Sequence, residues 1–96
     1  MLPTIVFHLP TMPQPVTALR NLGPKSAAWL AAIGIHTAED LREIGYAAAF
    51  QELIASGTTT PHRMMLYALA GAVMNRSCMS FSRDEKREIE EMAGLR

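Results

Sequence analysis

The residues of this sequence best suited to chemistry lie between positions 20 and 26. Gly23 is followed by a proline, and this pair favours a helix that begins directly after the glycine. The unpaired N–H groups at such a helix start carry partial positive charge and bind phosphate. Lys25 would add a cation, and Ser26 a hydroxyl donor. The sequence therefore predicts contacts with the backbone of a nucleic acid from Arg20, Asn21, Gly23, Lys25 and Ser26.

A purely structural role for the same residues stays open. Useful affinity for phosphate requires several basic groups on one face, and this turn offers Arg20 and Lys25. The chain of 96 residues carries nine Lys and Arg against nine Asp and Glu, a formal net charge of zero. Strongly basic nucleic-acid-binding domains differ from this balance. We predict weak, salt-sensitive DNA contact, with a turn that only serves the fold as the alternative.

Motifs that carry catalysis do not occur in the sequence. It contains no G-x-S-x-G, no G-x-x-x-x-G-K-(S/T) and no G-x-G-x-x-G. His8, His36 and His62 are far apart and form no ligand pair such as H-x-x-x-H. Adjacent carboxylates such as Glu90/Glu91 point apart on a helix and are interpreted as solvated surface. We therefore expect no enzyme activity, no catalytic residue, no metal site and no cofactor.

The turn at positions 20–26 belongs to a repeat of eleven residues. Each unit reads Leu-x-x-(Leu/Ile)-Gly-x-x-(Ser/Thr)-Ala, with Ala48 in place of the hydroxyl residue in the third unit. Apolar residues three apart share a helix face, a glycine can close the helix in the left-handed conformation, and Ser or Thr can cap the next helix. The repeat predicts helix-hairpin-helix units with structural turns at Gly23, Gly34 and Gly45.

Start and stop signals along the rest of the chain predict further short helices. Capping boxes are expected at Thr37/Asp40 and Ser82/Glu85, and Thr60 is expected to cap a helix that begins at Pro61. The predicted helices cover residues 17–21, 24–33, 38–44, 46–56, 61–74 and 83–93. The helix over 61–74 is the most apolar and should be central and buried. The predicted fold is all-α, with five or six short helices in a helix-hairpin-helix (SAM-like) domain.

The inward-facing residues of these helices follow from the helical period. The helical period specifies the inward-facing residues of three predicted helices, those over 24–33, 46–56 and 83–93. The predicted core residues are Trp29, Leu30, Ile33, Phe50, Leu53, Ile54, Ile89 and Met92. Four methionines, Met64, Met65, Met74 and Met79, are interpreted first as fillers of an irregular core. A methionine-rich surface for a partner or for a second copy in a homodimer is the alternative.

Residues 1–16 differ in composition from the rest of the chain. They contain four prolines and no charged residue, which predicts an extended N-terminal arm before a helical domain at 17–96. The stretch lacks the pattern of a signal peptide. An arm docked on the domain or exchanged with a neighbouring chain is the alternative to a poorly ordered one. Cys78 is the single cysteine, which excludes an internal disulfide and favours a reducing, cytoplasmic location without membrane contact.

Three segments resemble a known family. The sequence from Leu19 to Leu30, LRNLGPKSAAWL, and that from Ile33 to Leu41, IGIHTAEDL, resemble the C-terminal domain of the TfoX/Sxy family of competence regulators. The segment LYALAGA at 66–72 is similar to the buried helix of that family. The resemblance extends over residues 17–93. The hairpin portion is also similar to other helix-hairpin-helix modules, including the C-terminal domain of the RNA polymerase α subunit.

The resemblance implies a function as well as a fold. It implies an all-helical module without catalytic activity that works in transcription regulation of DNA-uptake genes. Together with the residues at 20–26, it leads us to expect DNA, contacted weakly through its backbone, or a protein of the transcription machinery as the partner. A protein–protein interaction module without DNA binding, acting on a partner or by self-association, is the alternative.

Overall fold

The described part of the chain is entirely helical apart from its connections. A computed structural model describes residues 14–57 and 62–95. Within these ranges, β-type backbone pairing is limited to one isolated antiparallel bridge between Pro15 and Thr37. The elements are a 3-10 turn at Val16–Ala18 and the helices α1 (Pro24–Ala32), α2 (Ala38–Ile44), α3 (Tyr46–Ser56), α4 (Arg63–Met74) and α5 (Arg83–Met92). The all-α prediction is confirmed.

The turn between α1 and α2 is the second hairpin that the repeat predicts, at Gly34. Gly34 has a φ of +86°, and its N–H donates to Ala31 O over 3.0 Å. The N–H of Ile35 donates to Leu30 O over 2.9 Å. This pair of hydrogen bonds is the Schellman ending, and the contact between its two flanking apolar residues stabilises it. Leu30 and Ile35 are both buried, so the turn and the core support each other.

The turn at residues 20–26, before α1, is called the first hairpin, and it differs from the prediction. Gly23 has a φ of −120° and is the N-cap of α1, whereas the positive φ of this turn, +71°, belongs to Asn21. The predicted helix at 17–21 is shortened to the 3-10 turn at Val16–Ala18, so the chain reverses earlier than the glycine. Asparagine tolerates the left-handed region better than most residues.

Caps end the other helices largely as expected. Gly45, with a φ of +86°, joins α2 directly to α3, and Gly57 ends α3 in the left-handed conformation. Both predicted capping boxes form, at the start of α2 and at the start of α5. The described part of α4 begins at Arg63 after His62. The predicted cap and first helical residue at positions 60 and 61 lie outside the described residues.

The core surrounds α4, as its composition predicts. Seven residues of α4 are buried: Met65, Leu66, Tyr67, Leu69, Ala70, Gly71 and Ala72. Phe50 and Leu53 of α3, Leu30 of α1 and Ile89 of α5 pack into the same cluster. None of the described helices has the length and apolar character needed to cross a bilayer.

Two predicted core residues are on the surface. Ile54 is 49% exposed and Met92 is 64% exposed. The buried residues of α3 are Ala49, Phe50 and Leu53, and Ile54 lies on the side of the helix that faces away from α4. On α5 the core contact is made by Ile89 with its neighbours at positions 90 and 93, so Met92 points outward.

The folded unit begins before the predicted boundary at residue 17. Val16 is 2% exposed and belongs to the core cluster. The N–H of Ala38 donates to Gln14 O over 2.8 Å, next to the bridge between Pro15 and Thr37. Residues 14–16 therefore pack on the start of α2 as part of the domain. The remainder of the predicted arm, residues 1–13, lies outside the described residues.

Candidate binding surface at the first hairpin

The first turn of α1 presents its backbone N–H groups without competition from an acid. Gly23 has no side chain that could cap the helix, and the first turn contains no Asp or Glu. The N–H of Ala27 donates to Gly23 O over 2.9 Å, so the N–H groups of Lys25 and Ser26 precede the first helical hydrogen bond. Lys25 is exposed and Ser26 is half-buried. This is the arrangement that accepts an anion.

Arg20 lies at the other end of the turn, against α4. Its Nη1 donates to the carbonyl of Asn75 over 3.4 Å, and Asn75 is the C-cap of α4. The negative end of the helix dipole favours a cation there. A guanidinium has five N–H donors, and this contact engages one of them. Arg20 is exposed, and its side chain is therefore accessible to an anion as well.

The Asn21 side chain is engaged within the fold. Its Nδ2 donates to Arg76 O over 2.8 Å and to Ala68 O over 3.5 Å. Its Oδ1 accepts from the N–H of Cys78 over 3.0 Å. Asn21 thus fixes the hairpin to α4 and to the loop that follows it. A Cβ on Gly71 would lie 2.5 Å from both Asn21 Nδ2 and Arg76 O, so a glycine is required for this close approach.

Arg76 holds the loop to which Asn21 is bound. Its guanidinium donates to both carboxylate oxygens of Glu85, over 2.6 and 3.2 Å, and to the Ser80 carbonyl over 2.9 Å. It also lies 4.5 Å from the centre of the Phe81 ring. The hydrogen bonds from Arg76, followed by that from the backbone of Ser82, lower the pKa of Glu85 to about 2. The loop is therefore fixed between α4 and α5.

A cleft opens between α1 and α4 beside Lys25. Its volume is about 310 Å³. We call it the α1–α4 cleft; it is lined by Lys25, Ser26, Trp29, His62, Met64, Met65, Ala68 and Cys78. None of these residues is acidic, and neither α1 nor α4 has an acid in its first turn. Both helices begin at the cleft, so its rim is electropositive while its floor is apolar.

Most of the methionines are on the surface rather than in the core. Met65 is 6% exposed, as the core-filling interpretation expects. Met64, Met74 and Met79 are 45%, 43% and 76% exposed, so that interpretation is wrong for these three. Met64 and Ala68 are four residues apart and share a face of α4, which is the signal in the sequence that points to the cleft. Sequence reasoning missed it because the most apolar helix was expected to be covered on all sides.

One of the carboxylates expected in solvent is buried. Glu90 is 3% exposed and accepts a hydrogen bond from the hydroxyl of Tyr67. Arg63 Nε lies 3.9 Å from Glu90 Oε2, and Lys86 Nζ lies 5.4 Å from the centre of the Tyr67 ring. These contacts join α4 to α5. The described residues contain no group of three or more His, Cys, Asp or Glu that could hold a metal ion.

The comparisons with known proteins agree with this fold. The family model of the TfoX C-terminal domain matches residues 12–93. The chain belongs to this family. An uncharacterized protein from Listeria monocytogenes, in a triclinic crystal form, is 25% identical with a TM-score of 0.73, over 82% of this chain and 89% of that one. A protein of unknown function from the same organism, in a tetragonal form, is 27% identical with a TM-score of 0.70, over 83% and 99%. The curated proteins contain no match.

In this TfoX C-terminal domain the predicted contact residues divide into two groups. Lys25 and Ser26 lie on the rim of the α1–α4 cleft, together with the backbone after Gly23. Arg20 and Asn21 contact the end of α4 and the loop that follows it. The first group and the Arg20 guanidinium can bind an anion. Asn21 positions the hairpin that carries them.

Proposed function

We propose that this TfoX C-terminal domain is a non-catalytic, cytoplasmic binding module in the transcription regulation of DNA uptake. We propose further that its first hairpin contacts the DNA backbone. Family membership supports the regulatory role. The main observation in support of the DNA contact is the start of α1. Gly23 provides no side-chain cap there, Lys25 is exposed, and the first turn contains no Asp or Glu.

The charge around the hairpin favours an anionic partner. Residues 14–38 contain Arg20 and Lys25 and no Asp or Glu. A phosphate at the start of α1 would accept from the N–H groups of Lys25 and Ser26 and would lie beside the Lys25 ammonium. Arg20 would serve a neighbouring phosphate. The contact would read no bases, because phosphate contacts position a protein on DNA and base contacts specify the sequence.

The strength of this contact follows from counterion release. Two cations that neutralise two phosphates give a slope of about −1.8 in a plot of log K against log salt. Affinity should therefore fall roughly ten-fold between about 50 and about 200 mM salt. A module of this kind binds DNA weakly alone and gains specificity from the protein to which it is joined or bound.

The test is a fluorescence polarisation titration of labelled duplex DNA. The double variant Arg20→Glu/Lys25→Glu should lose binding while it stays folded, with the far-UV circular dichroism of the parent chain and a melting temperature lowered only by the lost contact between Arg20 and Asn75. Arg83→Glu/Arg87→Glu is the matched control, because both arginines are exposed on α5 and the pair changes the net charge by the same amount. Equal binding by the double variant and the parent would overturn the DNA contact, and equal loss in the control would assign binding to net charge alone.

A second candidate function is protein interaction without DNA. The α1–α4 cleft favours it, since its floor consists of Trp29, Met64, Met65 and Ala68 and Met64 is 45% exposed. Methionine side chains adapt their shape and recur at protein-binding surfaces. An apolar floor offers nothing to a phosphodiester but stabilises an apolar side chain of a protein. In this case Met64→Asp abolishes partner binding and Arg20→Glu leaves it unchanged.

A further inference from the structure

We propose that the α1–α4 cleft receives helix α5 of a second copy of this chain. The inference rests on the protein-interaction candidate above and names its partner. The cleft combines an apolar floor with an electropositive rim made by Lys25 and by the starts of α1 and α4. The complementary surface is an apolar side chain that inserts into the floor, flanked by carboxylates that lie on the rim.

The outer face of α5 has this chemistry. Asp84, Glu88 and Met92 follow one another at intervals of four residues and share a face of α5, and Glu91 lies three residues after Glu88; all four are exposed. Met92 is 64% exposed. Ile89 lies three residues before Met92 and is buried in the domain's own core. Glu88 and Met92 line a separate cleft of the same domain with Tyr46 and Phe81, so they cannot reach the α1–α4 cleft of their own copy. A second copy of the chain presents the same exposed carboxylates and Met92 on α5.

Two further properties of the chain favour contact between copies. The formal net charge of zero removes the long-range repulsion that keeps strongly charged proteins apart. The charges are also separated along the chain, because residues 14–38 contain no Asp or Glu whereas α5 carries five of them against three Lys and Arg. In a two-fold dimer the contact occurs twice, since each copy supplies one cleft and one helix.

Sedimentation velocity of the full chain over a range of concentrations tests the inference. Trp29, the single tryptophan, lines the cleft, and its emission should shift to shorter wavelength as the copies associate. Met64→Asp and Met92→Asp remove the two sides of the contact, and each should raise the dimer dissociation constant at least about ten-fold. Ile54→Asp is the control, because Ile54 is an exposed apolar residue on α3 outside the cleft, and its dissociation constant should match the parent's.

A charge exchange separates this contact from DNA binding. Lys25→Glu and Glu88→Lys should each weaken association, and an equimolar mixture of the two variants should restore it to the level of the parent chain. The Lys25→Glu chain should stay deficient in DNA binding in the same mixture. A chain that is monomeric at all concentrations, a Met92→Asp variant that associates like the parent, or a mixture without recovery would each overturn the inference. DNA binding by a chain that stays monomeric would overturn it and leave the proposed DNA contact standing.

Discussion

At the scale of single residues, Asn21 organises the first hairpin more than Gly23 does. It adopts the positive φ of the turn, and its amide pairs with the loop after α4 on both its donor and its acceptor side. The repeat predicts the position of the turn correctly to within two residues. It does not predict which residue turns the chain, because the acceptors of the Asn21 amide lie on α4 and in the loop after it, about fifty positions away in sequence.

Substitution of Asn21 should separate its two contributions. Asn21→Gly keeps the positive φ but removes the amide, and we expect a loss of about 1 kcal/mol from the missing hydrogen bonds. Asn21→Ala removes the amide and also strains the backbone, so its loss should be larger by about 1 kcal/mol. Urea unfolding of both variants and the parent measures these differences. Two variants as stable as the parent would show that the amide contacts contribute nothing.

Gly34 should be more sensitive to substitution than Gly23. No atom lies within 4 Å of a Cβ built on Gly34, so the cost of Gly34→Val is conformational and comes from a φ of +86°. We expect a loss of about 1–2 kcal/mol. Gly23→Ser is the control, because Gly23 lies in the extended region and serine is a good N-cap; its unfolding free energy should change by less than about 0.5 kcal/mol. Equal effects at both positions would contradict the assigned turn.

At the scale of elements, the sequence predicts what depends on local chemistry. The side chains of Thr37 and Ser82 each cap their helix by accepting a hydrogen bond from the backbone N–H three residues later. Capping signals of this kind can be recognised in a single sequence. Burial of α5 is a tertiary property. Glu90 is buried where α5 packs on α4 and accepts from the Tyr67 hydroxyl, and Met92 is 64% exposed although Gln51 of α3 donates to the carbonyl of Ala93 beside it. Neither outcome can be derived from the order of residues within α5.

The ion pair between Arg76 and Glu85 should make stability depend on pH. The pKa of Glu85 falls from an ordinary value of 4.5 to about 2 in the folded chain, chiefly through the hydrogen bonds from Arg76. A lowered folded pKa contributes stability that is present above the unfolded value and is lost as pH falls. The contribution should therefore be complete at neutral pH and should disappear between about pH 4.5 and about pH 2.

Glu85→Gln isolates this contribution. The variant keeps an acceptor for the N-cap of α5 but loses the charge that pairs with Arg76. It should be less stable than the parent at neutral pH, and the two melting temperatures should converge toward pH 2. Glu91→Gln, at an exposed position on α5, should run parallel to the parent throughout. A constant offset between Glu85→Gln and the parent at every pH would exclude the ion pair as its cause.

At the scale of the whole molecule, the fold is evident from the sequence, but its surface is not. The hairpin repeat specifies how α1 and α2 are joined, and the residues at 19–41 that resemble the family lie in a domain of that family. The α1–α4 cleft depends on how α4 is placed relative to α1, and this placement leaves Met64 exposed. The composition of a methionine-rich helix does not indicate whether its methionines are buried by other elements or exposed to solvent.

The whole-molecule claim that matters most is that an acid-free hairpin binds the DNA backbone. The most direct measurement is a polarisation titration of the full chain with duplex DNA at two salt concentrations. We predict that affinity falls roughly ten-fold between about 50 and about 200 mM salt, and that Arg20→Glu/Lys25→Glu abolishes binding at the lower one. Binding that does not change with salt, or that survives the double substitution, would contradict the account.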